Sequence, residues 1–341
     1  MKSQDPNRTF WLHRPVLVTG VNGFIGSWLA DKLAERGARV FGISRSGTSS
    51  WDHAGQVEIV QGGIDDSDFL DQLIRDYRVD SVFHLAAQPL VSAGQEGPVE
   101  TFETNIRGTW NLLDACRRNQ RTINRVIVAS SERAYGPAAE DCLNESSPLL
   151  GSSPYDVSKI CGDLIARSYF TTYKLPVCVA RYGNVYGGRD LNFDRIVPGT
   201  IQSLLSEQQP IIRSDGKAVR DYLSIHDLVD GYLALAEAMS DSAVCGEVFN
   251  FSGDHRISVL GLTELIVKLM NRPTLEPVVL GFTRNDNADR TISSDKARQL
   301  LGWTPRISLE NGLLETIEWY SRHLSFEAVE PPHADESVLS E

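Results

Sequence analysis

The residues of this chain fall into short apolar runs separated by longer amphipathic stretches. PVLVTG, ARVFGISR, VFHLAA and VIVASS predict buried strands, because β-favouring residues run together and end in small or polar residues. The stretches between them, for example residues 24–36 and 99–118, carry apolar residues at helical spacing. This alternation predicts an α/β fold: a doubly wound parallel sheet of the Rossmann type with right-handed crossovers.

The alternation becomes irregular after residue 180, where Pro198, Pro210 and shorter elements interrupt it. A strand and helix pattern returns later, so we predict a second, smaller domain of mixed α/β type. The predicted division assigns 14–180 and about 221–251 to the larger domain, and about 181–220 and 252–325 to the smaller one.

The two ends of the chain carry no comparable pattern. Residues 1–13 predict a polar extension, with ordered structure beginning at Pro15. Residues 326–341 are acidic and contain prolines, and we predict that they form a disordered tail.

Composition narrows the class of protein. With 41% hydrophobic and 23% charged residues among 341, the chain has the make-up of a globular enzyme. The net charge of −12 argues against nucleic acid or an anionic membrane as a partner, and no segment approaches transmembrane length. The five cysteines form no C-x-x-C pair and the histidines are dispersed, so we predict reduced thiols, a cytoplasmic location and no metal site.

Three glycines, Gly20, Gly23 and Gly26, form a G-x-x-G-x-x-G pattern between the first predicted strand and an amphipathic helix. The first two let the backbone turn tightly beside a pyrophosphate, and the third lets helix and strand pack closely. The amino end of the helix offers unpaired N–H groups to the same anion. A glycine triplet in this context indicates a dinucleotide site.

The second predicted strand ends in Ser44 and Arg45 instead of an acidic residue. An acid there binds the hydroxyls of the adenosine ribose, whereas a guanidinium suits a 2′-phosphate. The sequence therefore favours NADP over NAD as the cofactor. Where the fourth predicted strand ends, we expect small or polar residues to meet the cofactor: Ala86, Ala87 and Gln88.

Two polar residues near that strand are open to more than one reading. We interpret His84 as a histidine packed within the strand and not as a catalyst. Asn105 either hydrogen-bonds backbone near the site or lies on the polar surface of its helix.

Ser131 follows the predicted strand at residues 126–129, and Tyr155 and Lys159 lie one helical turn apart after Pro154. A tyrosine with an ordinary pKa near 10 is a poor base, but a neighbouring lysine cation stabilises its phenolate. Tyr155 can then take a proton from a sugar or alcohol hydroxyl while Ser131 hydrogen-bonds the same oxygen. By itself the Tyr-x-x-x-Lys spacing also arises on ordinary amphipathic helices.

Across residues 15–322 the chain resembles the extended short-chain dehydrogenase/reductases that modify nucleotide sugars. The resemblance rests on GVNGFIG, HLAAQ, TNIRGT, SSERAYG, YDVSK, RYGNVYG, the Arg220–Asp221 pair and LGWTPRISLENGLLETIEWY. Within that family, HLAAQPLV, GPVETFETNIRGT and YGNVYGGRDLNFDRIVPGTI are most similar to 4,6-dehydratases of the CDP-glucose type. GISRS is more similar to the NADP-using GDP-mannose 4,6-dehydratases.

The resemblance implies a 4,6-dehydratase acting on a nucleotide-diphosphate sugar. In such enzymes the tyrosine and NAD(P)+ oxidise the sugar at C4, water is lost across C5 and C6, and the cofactor returns its hydride to C6. The larger domain would bind NAD(P) and the smaller one the nucleotide sugar. The implied catalytic residues are Ser131, Glu132, Arg133, Tyr155 and Lys159. The implied cofactor contacts are Gly20, Gly23, Phe24, Ile25, Gly26, Ser44, Arg45, Ile64, Asp65, Leu85, Ala86, Ala87, Gln88, Tyr155 and Lys159.

Two positions depart from the family pattern. Glu132 can donate a proton to the departing C6 hydroxyl, but Arg133 stands where the CDP-glucose enzymes have lysine, and a guanidinium is a very poor base. Arg133 therefore stabilises the developing enolate, clamps a substrate carboxylate, or turns outward to solvent. Gly63 stands where the family usually has an acid facing adenine, which leaves adenine recognition to Ile64 and the backbone.

The resemblance also implies the substrate contacts and the assembly. Asn184, Arg195 and Arg220 fall at positions resembling the pyrophosphate and nucleotide contacts, and we expect one of the three to be only a surface charge. Relatives commonly pair through two long helices, here residues 99–118 and 154–174, so we expect a homodimer.

Two other functions compete with dehydration. A nucleotide-sugar 4-epimerase or 4-keto reductase needs only Ser131, Tyr155 and Lys159. A redox or cofactor sensor that has kept the fold without catalysis has no need of these three residues, and their presence argues against it.

Overall fold

The computed structural model of the protein describes residues 9–137, 142–282 and 291–324, so the tail predicted at 326–341 lies outside the described residues. The strands are β1 (Pro15–Thr19), β2 (Arg39–Ser44), β3 (Val57–Gln61), β4 (Ser81–His84), β5 (Arg125–Ala129), β6 (Val177–Tyr182), β7 (Asn184–Tyr186), β8 (Ile211–Ile212), β9 (Val219–Ser224), β10 (Val248–Phe251), β11 (Arg256–Ser258) and β12 (Val278–Val279). The α-helices are α1 (Phe24–Glu35), α2 (Ser67–Asp76), α3 (Val91–Glu96), α4 (Pro98–Phe102), α5 (Gly108–Arg118), α6 (Pro154–Tyr173), α7 (Ile196–Leu205), α8 (Ile225–Ala238), α9 (Val259–Leu269), α10 (Asp295–Leu301) and α11 (Leu309–Leu324). A π-helical turn (Glu103–Arg107) joins α4 to α5, and a 3₁₀ turn (Glu132–Tyr135) follows β5.

Seven parallel strands form the main sheet in the order β3-β2-β1-β4-β5-β6-β10. The chain builds the sheet outward in one direction from β1 to β3, and in the other direction from β4 onward. The order of the strands therefore reverses between β1 and β4, the place where open α/β sheets bind ligands. The predicted doubly wound Rossmann fold is confirmed.

The main sheet separates two apolar layers, because successive side chains of a strand point to opposite faces. Val16 and Val18 of β1 pack on the face that α1 and α8 cover. Leu17 packs on the other face, which α2, α5 and α6 cover. Both faces of the strands are thus buried, which accounts for their nearly continuous apolar sequences.

A smaller mixed α/β part adjoins the carboxyl ends of the main sheet. Its sheet contains β7, β9 and β11, with β7 parallel and β11 antiparallel to β9. Helices α7, α9 and α11 pack on one another around a separate apolar cluster, which includes Ile201, Leu262 and Leu313. Only Gly183 separates β6 of the main sheet from β7 of this smaller sheet, so the two parts are joined beside the end of β5.

The residues just before β1 differ from the predicted polar extension. Trp11 is fully buried, and its indole N–H donates to Glu237 Oε1 at 2.6 Å. Arg14 donates to both carboxylate oxygens of Asp80 at 3.1 Å and lies over the ring of Phe10. The prediction was wrong for this part of residues 1–13, because the short apolar run Phe10, Trp11 and Leu12 carries a tryptophan that is buried against distant elements.

Candidate active site

The glycine-rich turn lies where the order of the strands reverses. Gly20 has a φ of +74°, and a Cβ there would lie 2.8 Å from the backbone nitrogen of Ala86. A Cβ at Gly26 would lie 2.1 Å from the carbonyl oxygen of Gly20. The turn, closed by the Gly23 N–H donating to Gly20 at 2.9 Å, thus brings the amino end of α1 against the end of β4. Only glycine permits this cradle, and a dinucleotide pyrophosphate fits it.

The ends of β1 and β4 are held together by one hydroxyl. Thr19 Oγ1 accepts from the backbone N–H groups of Leu85 and Ala86 at 3.2 and 3.1 Å. It also hydrogen-bonds Nδ1 of His84 at 2.8 Å. The predicted contacts Leu85 and Ala86 are therefore fixed directly beside Gly20.

His84 is a packed histidine, as predicted. It is 3% exposed, and burial, with the nearby charge of Lys159, lowers its pKa to about 3. Thr109 donates to the Asn105 carbonyl at 2.6 Å, so its hydroxyl accepts from His84 Nε2 at 3.0 Å. Nδ1 then accepts from Thr19, which assigns a neutral imidazole that links β1, β4 and α5.

Asn105 hydrogen-bonds backbone near the site, the first of the two predicted alternatives. It lies in the π-helical turn, and its side chain accepts from Gln88 N at 2.7 Å and donates to Gln88 O at 3.1 Å. It also donates to Ser158 Oγ of α6 at 2.9 Å. This amide ties the end of β4 to the helix that carries Tyr155 and Lys159.

The loop after β2 holds a chain of hydroxyl groups. Ser46 Oγ lies 3.0 Å from both Ser44 Oγ and Thr48 Oγ1, and the side chain of Arg45 beside them is exposed. Asn22 of the glycine-rich turn organises this loop by donating to Ser44 Oγ at 3.1 Å and to the Thr48 carbonyl at 2.9 Å. The loop is thereby fixed to the turn on which a pyrophosphate would lie.

The loop after β3 places an acid near the position where the family pattern has one. A Cβ at Gly63 would lie 2.1 Å from Asp65 Oδ1, so the Asp65 carboxylate occupies the space beside that residue. Asn111 of α5 holds the loop by donating to the carbonyls of Ile64 and Asp65 at 3.2 and 3.1 Å. Ile64 also packs against Gly108, where a Cβ would leave no room.

Helix α6 begins in a way that fixes the direction of Tyr155. Ser153 and Asp156 form a reciprocal capping box, and Pro154 takes the first helical position. Further along the helix, the buried Asp163 accepts from Arg181 Nε of β6 at 2.8 Å. The helix is therefore anchored at its start by a cap and at its middle by an ion pair to the sheet.

The predicted trio meets at the end of β5 and the start of α6. Ser131 and Tyr155 are each 9% exposed. Burial raises the pKa of Tyr155 above its ordinary value, while a hydrogen bond with Ser131 acts in the opposite direction. The charges of Arg195 and Arg133 also lower the pKa of this phenol. Tyr155 is thus a neutral phenol surrounded by groups that make its proton easier to remove.

Lys159 completes the trio as a half-buried cation. Its Nζ lies 5.9 Å from the ring centroid of Tyr155 and donates to the Ala129 carbonyl at 3.3 Å. Burial lowers the pKa of Lys159 to about 8. The spacing of four residues has the predicted effect: both side chains leave the same face of α6.

Replacing Lys159 by methionine is expected to stabilise the cofactor-free protein at neutral pH. Because the pKa falls from 10.5 to about 8 on folding, the lysine charge opposes folding below pH 8, and this opposition fades toward pH 10.5. We expect the free energy of unfolding to rise by roughly 1–3 kcal/mol at pH 7 and by much less near pH 10. Urea unfolding followed by tryptophan fluorescence measures it. Lys268→Met, at an exposed position of α9, is the control, and an equal change at both pH values would contradict the prediction.

Glu132 lies beside the trio on the 3₁₀ turn and is 4% exposed. Asn184 Nδ2 donates to its Oε1 at 3.4 Å. Burial raises the pKa of the nearby Tyr222. The charge of Arg220 lowers this pKa, and the charge of Glu132 raises it. The carboxyl group therefore lies between the end of β5 and the smaller sheet.

Arg133 is turned toward α6 and not toward solvent. Its Nε donates to Asp156 Oδ1 at 2.7 Å, and its side chain is 18% exposed. Asp156 is the same residue that closes the capping box of α6. The guanidinium is thus fixed one residue away from Tyr155, and a carboxylate of the protein already neutralises part of its charge.

The three predicted substrate contacts all border this region. Asn184 donates to Glu132. Arg220 donates to the Val219 carbonyl at 3.0 Å, and its charge lowers the pKa of Tyr222. Arg195 donates to Asp190 at 2.9 Å and is 38% exposed, yet its charge reaches Tyr155. The expectation that one of the three is only a surface charge stays a prediction.

Several residues of the site carry no role in the sequence interpretation. Thr19 and Asn22 tie the glycine-rich turn to its neighbours, and Asp156 fixes Arg133. The S-x-x-D spacing of Ser153 and Asp156 is a capping-box signal, which identifies the start of α6. Nothing in the pattern indicates that the same aspartate also binds a residue at the end of β5.

Within the described residues, no group of three or more histidine, cysteine, aspartate or glutamate side chains could hold a metal ion. No helix in these parts of the chain has the length and apolar character needed to cross a membrane.

The fold and the site together define an extended short-chain dehydrogenase/reductase that binds NAD(P). The seven-stranded sheet, the glycine cradle at the reversal and the trio of Ser131, Tyr155 and Lys159 carry this conclusion. The chain belongs to the GDP-mannose 4,6 dehydratase family, whose model matches residues 17–316.

Curated relatives share much of this chain. CDP-glucose 4,6-dehydratase of Salmonella typhimurium is 29% identical over 338 residues, covering 92% of each protein. The trifunctional UDP-glucose 4,6-dehydratase/UDP-4-keto-6-deoxy-D-glucose 3,5-epimerase/UDP-4-keto-L-rhamnose-reductase of Arabidopsis thaliana is 28% identical over 320 residues. That match covers 90% of this chain, which spans only 47% of the Arabidopsis protein.

Solved structures with the same fold include both dehydratases and epimerases. The dTDP-glucose 4,6-dehydratase DesIV of Streptomyces venezuelae, solved with NAD bound, gives a TM-score of 0.81 at 26% identity over 92% of this chain and 99% of its own. The UDP-glucose 4-epimerase of Thermotoga maritima, solved with UDP-glucose, gives a TM-score of 0.84 at 29% identity over 91% and 99%. The overall fold therefore does not separate the two reactions, and the site must.

Proposed function

We propose that this protein is an NAD(P)-dependent nucleotide-sugar 4,6-dehydratase. The observation that carries the proposal is the carboxyl group of Glu132, which is almost fully buried directly after Ser131. Oxidation at C4 needs only a base and a hydroxyl, whereas loss of water from C6 needs an acid as well. Glu132 is the carboxyl group placed beside Ser131 that can supply this proton.

Each residue of the site has a defined task in this reaction. Tyr155 takes the proton of the C4 hydroxyl while Ser131 hydrogen-bonds the same oxygen, and the Lys159 charge stabilises the phenolate. Bound NAD(P)+ supplies the acceptor for the hydride from C4 and returns that hydride to C6. The Glu132 carboxylate takes the C5 proton and passes it to the C6 hydroxyl, which leaves as water, while Arg133 offers a fixed positive charge to the enolate formed in between. When the hydride enters C6, C5 regains a proton, which balances the one that Tyr155 took from the C4 hydroxyl.

The position of Arg133 argues against a sugar acid as the substrate. Its Nε is already bound to Asp156 at 2.7 Å, so part of its charge is neutralised before any ligand arrives. Of the interpretations of Arg133, stabilisation of the enolate fits this geometry best.

For the cofactor we propose NADP over NAD. The exposed guanidinium of Arg45 lies beside three hydroxyls, those of Ser44, Ser46 and Thr48, which are linked at 3.0 Å. A 2′-phosphate needs several donors and a positive charge, and this loop offers both at the end of β2. Asn22 hydrogen-bonds the loop to the glycine-rich turn, so the site for the 2′-phosphate is held at a fixed position relative to the site for the pyrophosphate.

Replacing Arg45 by alanine is expected to weaken NADP+ binding about tenfold or more and to leave NAD+ binding unchanged. The loss corresponds to a charge-assisted contact to the 2′-phosphate, which NAD+ lacks. Isothermal titration of both cofactors measures the two dissociation constants. The control is Arg121→Ala. Arg121 is exposed and precedes β5, at the amino ends of the strands, whereas Arg45 follows the carboxyl end of β2. Equal weakening of both cofactors would contradict the proposed preference.

The alternative is a nucleotide-sugar 4-epimerase or 4-keto reductase, which uses the same trio. Solved epimerases with this fold support it. Such an enzyme has no task for a buried acid beside Ser131, and for that reason we favour dehydration. The intact trio likewise disfavours a sensor without catalysis.

We further propose that the smaller part binds the nucleotide sugar, with Asn184, Arg195 and Arg220 as contacts, and that the protein is a cytoplasmic homodimer. Large apolar side chains are exposed along α5 and α6, the helices expected at the interface: Trp110 is 44% and Leu164 is 51% exposed. All five cysteines are free thiols, consistent with a reducing compartment.

The experiment that tests the function is incubation with a panel of substrates: CDP-glucose, GDP-mannose, dTDP-glucose and UDP sugars. Mass spectrometry should show loss of one water from at least one of them without net consumption of cofactor. Product of unchanged mass would indicate an epimerase. Consumption of hydride in step with turnover would indicate a reductase.

A further inference from the structure

Gly183 stands between β6 and β7 and faces the carboxyl group of Glu132. Because β5 and β6 are neighbours in the main sheet, the residues just beyond their carboxyl ends lie side by side. Glu132 begins the 3₁₀ turn after β5, and Gly183 is the single residue between the two sheets. Gly183 belongs to the motif RYGNVYG.

The space at Gly183 is filled by Glu132. A Cβ added to Gly183 would lie 2.5 Å from Glu132 Oε2, 3.0 Å from Cδ and 3.4 Å from Oε1. These are the three heavy atoms nearest to it. Gly183 is not among the glycines with a positive φ, so another residue is excluded there by lack of space and not by the backbone conformation.

An added methyl group would move the carboxyl group and not the fold. The three nearest atoms that it meets are at the far end of a flexible side chain, and none of them is a backbone atom. Glu132 is 4% exposed and accepts from Asn184 Nδ2 at 3.4 Å, so the added methyl group would displace the carboxyl group from this position. Ser131 and Tyr155 make no contact with the added atom within that nearest shell.

We propose that Gly183 determines the reaction by admitting a carboxylic acid beside Ser131. A larger residue at this position leaves Ser131, Tyr155 and Lys159 able to oxidise C4 but displaces the acid that completes the loss of water. Gly183 is thus a positioning residue that acts through Glu132. The part of this inference that concerns water loss rests on the proposed dehydratase function.

The experiment compares the wild-type protein with Gly183→Ala. Crystal structures of both should show the Glu132 carboxyl group displaced by about 1 Å or more in the variant, with its contact to Asn184 lost. We expect water loss from the substrate to fall about 100-fold, because misplacing a reacting group by about 1 Å has effects of this size. Reduction of bound cofactor by substrate, followed by absorbance, should change only a few-fold.

Two further variants separate this role from general damage to the fold. Gly162→Ala is the matched control, since a Cβ in that helical position makes only ordinary contacts of 3.7 Å or more. Glu132→Asp shortens the acid by one methylene, so in the double variant the added methyl group no longer meets it. The effects of Gly183→Ala and Glu132→Asp should therefore be strongly non-additive, with Gly183→Ala harmful only when residue 132 is glutamate.

The outcomes distinguish this inference from the proposed function. A Gly183→Ala crystal structure with Glu132 in its original position overturns the inference, whatever the reaction is. So does an unchanged rate of water loss in that variant. If the wild-type protein removes water from none of the sugars, the proposed function fails, while displacement of Glu132 in the crystal still supports the positioning role of Gly183.

Discussion

Replacing Tyr155 by phenylalanine is expected to lower kcat about 1,000-fold and to leave binding of NAD(P) and nucleotide sugar nearly unchanged. The variant loses one hydroxyl from a side chain that is 9% exposed, so the packing of its ring stays the same. What is lost is the base at C4, and a positioned acid–base group contributes on the order of 100- to 10,000-fold. Reduction of bound cofactor in a single turnover should fall together with kcat.

The matched control is Tyr173→Phe, near the end of the same helix. Tyr173 is 48% exposed, and its hydroxyl has no part in the site described above. Its loss should change kcat less than twofold by the usual scale of surface substitutions. A Tyr155→Phe enzyme that keeps normal turnover would contradict the role of Tyr155 as the base at C4.

Replacing Glu132 by glutamine is expected to stop the loss of water while oxidation at C4 continues. Glutamine has nearly the same shape and can still accept from Asn184, but it has no acidic proton to give. We expect release of dehydrated product to fall about 1,000-fold, with reduced cofactor accumulating on the enzyme when substrate is added. Mass spectrometry of the sugar and absorbance of the cofactor measure the two steps separately.

This variant also discriminates between the competing reactions. An epimerase or keto reductase has no use for the acid, so in those enzymes Glu132→Gln would be only mildly harmful. Glu264→Gln, at an exposed position on α9, controls for a general effect of the change. If Glu132→Gln stopped the reduction of the cofactor as well as the elimination of water, Glu132 would be supporting the trio and not the elimination alone.

Local patterns predicted the main sheet correctly. They also predicted which residues lie close together at the glycine-rich turn and at the start of α6, because each arrangement depends on residues close together in the chain. Gly20 and Gly26 act through a turn of seven residues, and Tyr155 and Lys159 through one turn of helix. In such cases spacing alone determines which side chains meet. The place where they meet then follows from the order of strands in a parallel sheet.

Pairings between distant elements were beyond the reach of such patterns. The sequence left several interpretations of Arg133 open, because its partner Asp156 lies 23 residues further along the chain. The burial of Trp11 depends on Glu237, which is 226 residues away. The contact between Glu132 and Gly183 likewise arises only when β5 and β6 pair. Each of these contacts is set by tertiary packing, for which one sequence carries no periodic signal.

The loop after β3 shows how such a pairing can mislead a comparison of sequences. Aligned column by column with a pattern that has an acid at residue 63, this chain would be scored as having lost that acid. In space the Asp65 carboxylate lies 2.1 Å from where a Gly63 side chain would begin, so a carboxylate still occupies the space beside residue 63. A comparison by spatial position keeps the acid in this loop that a comparison by sequence position would count as missing.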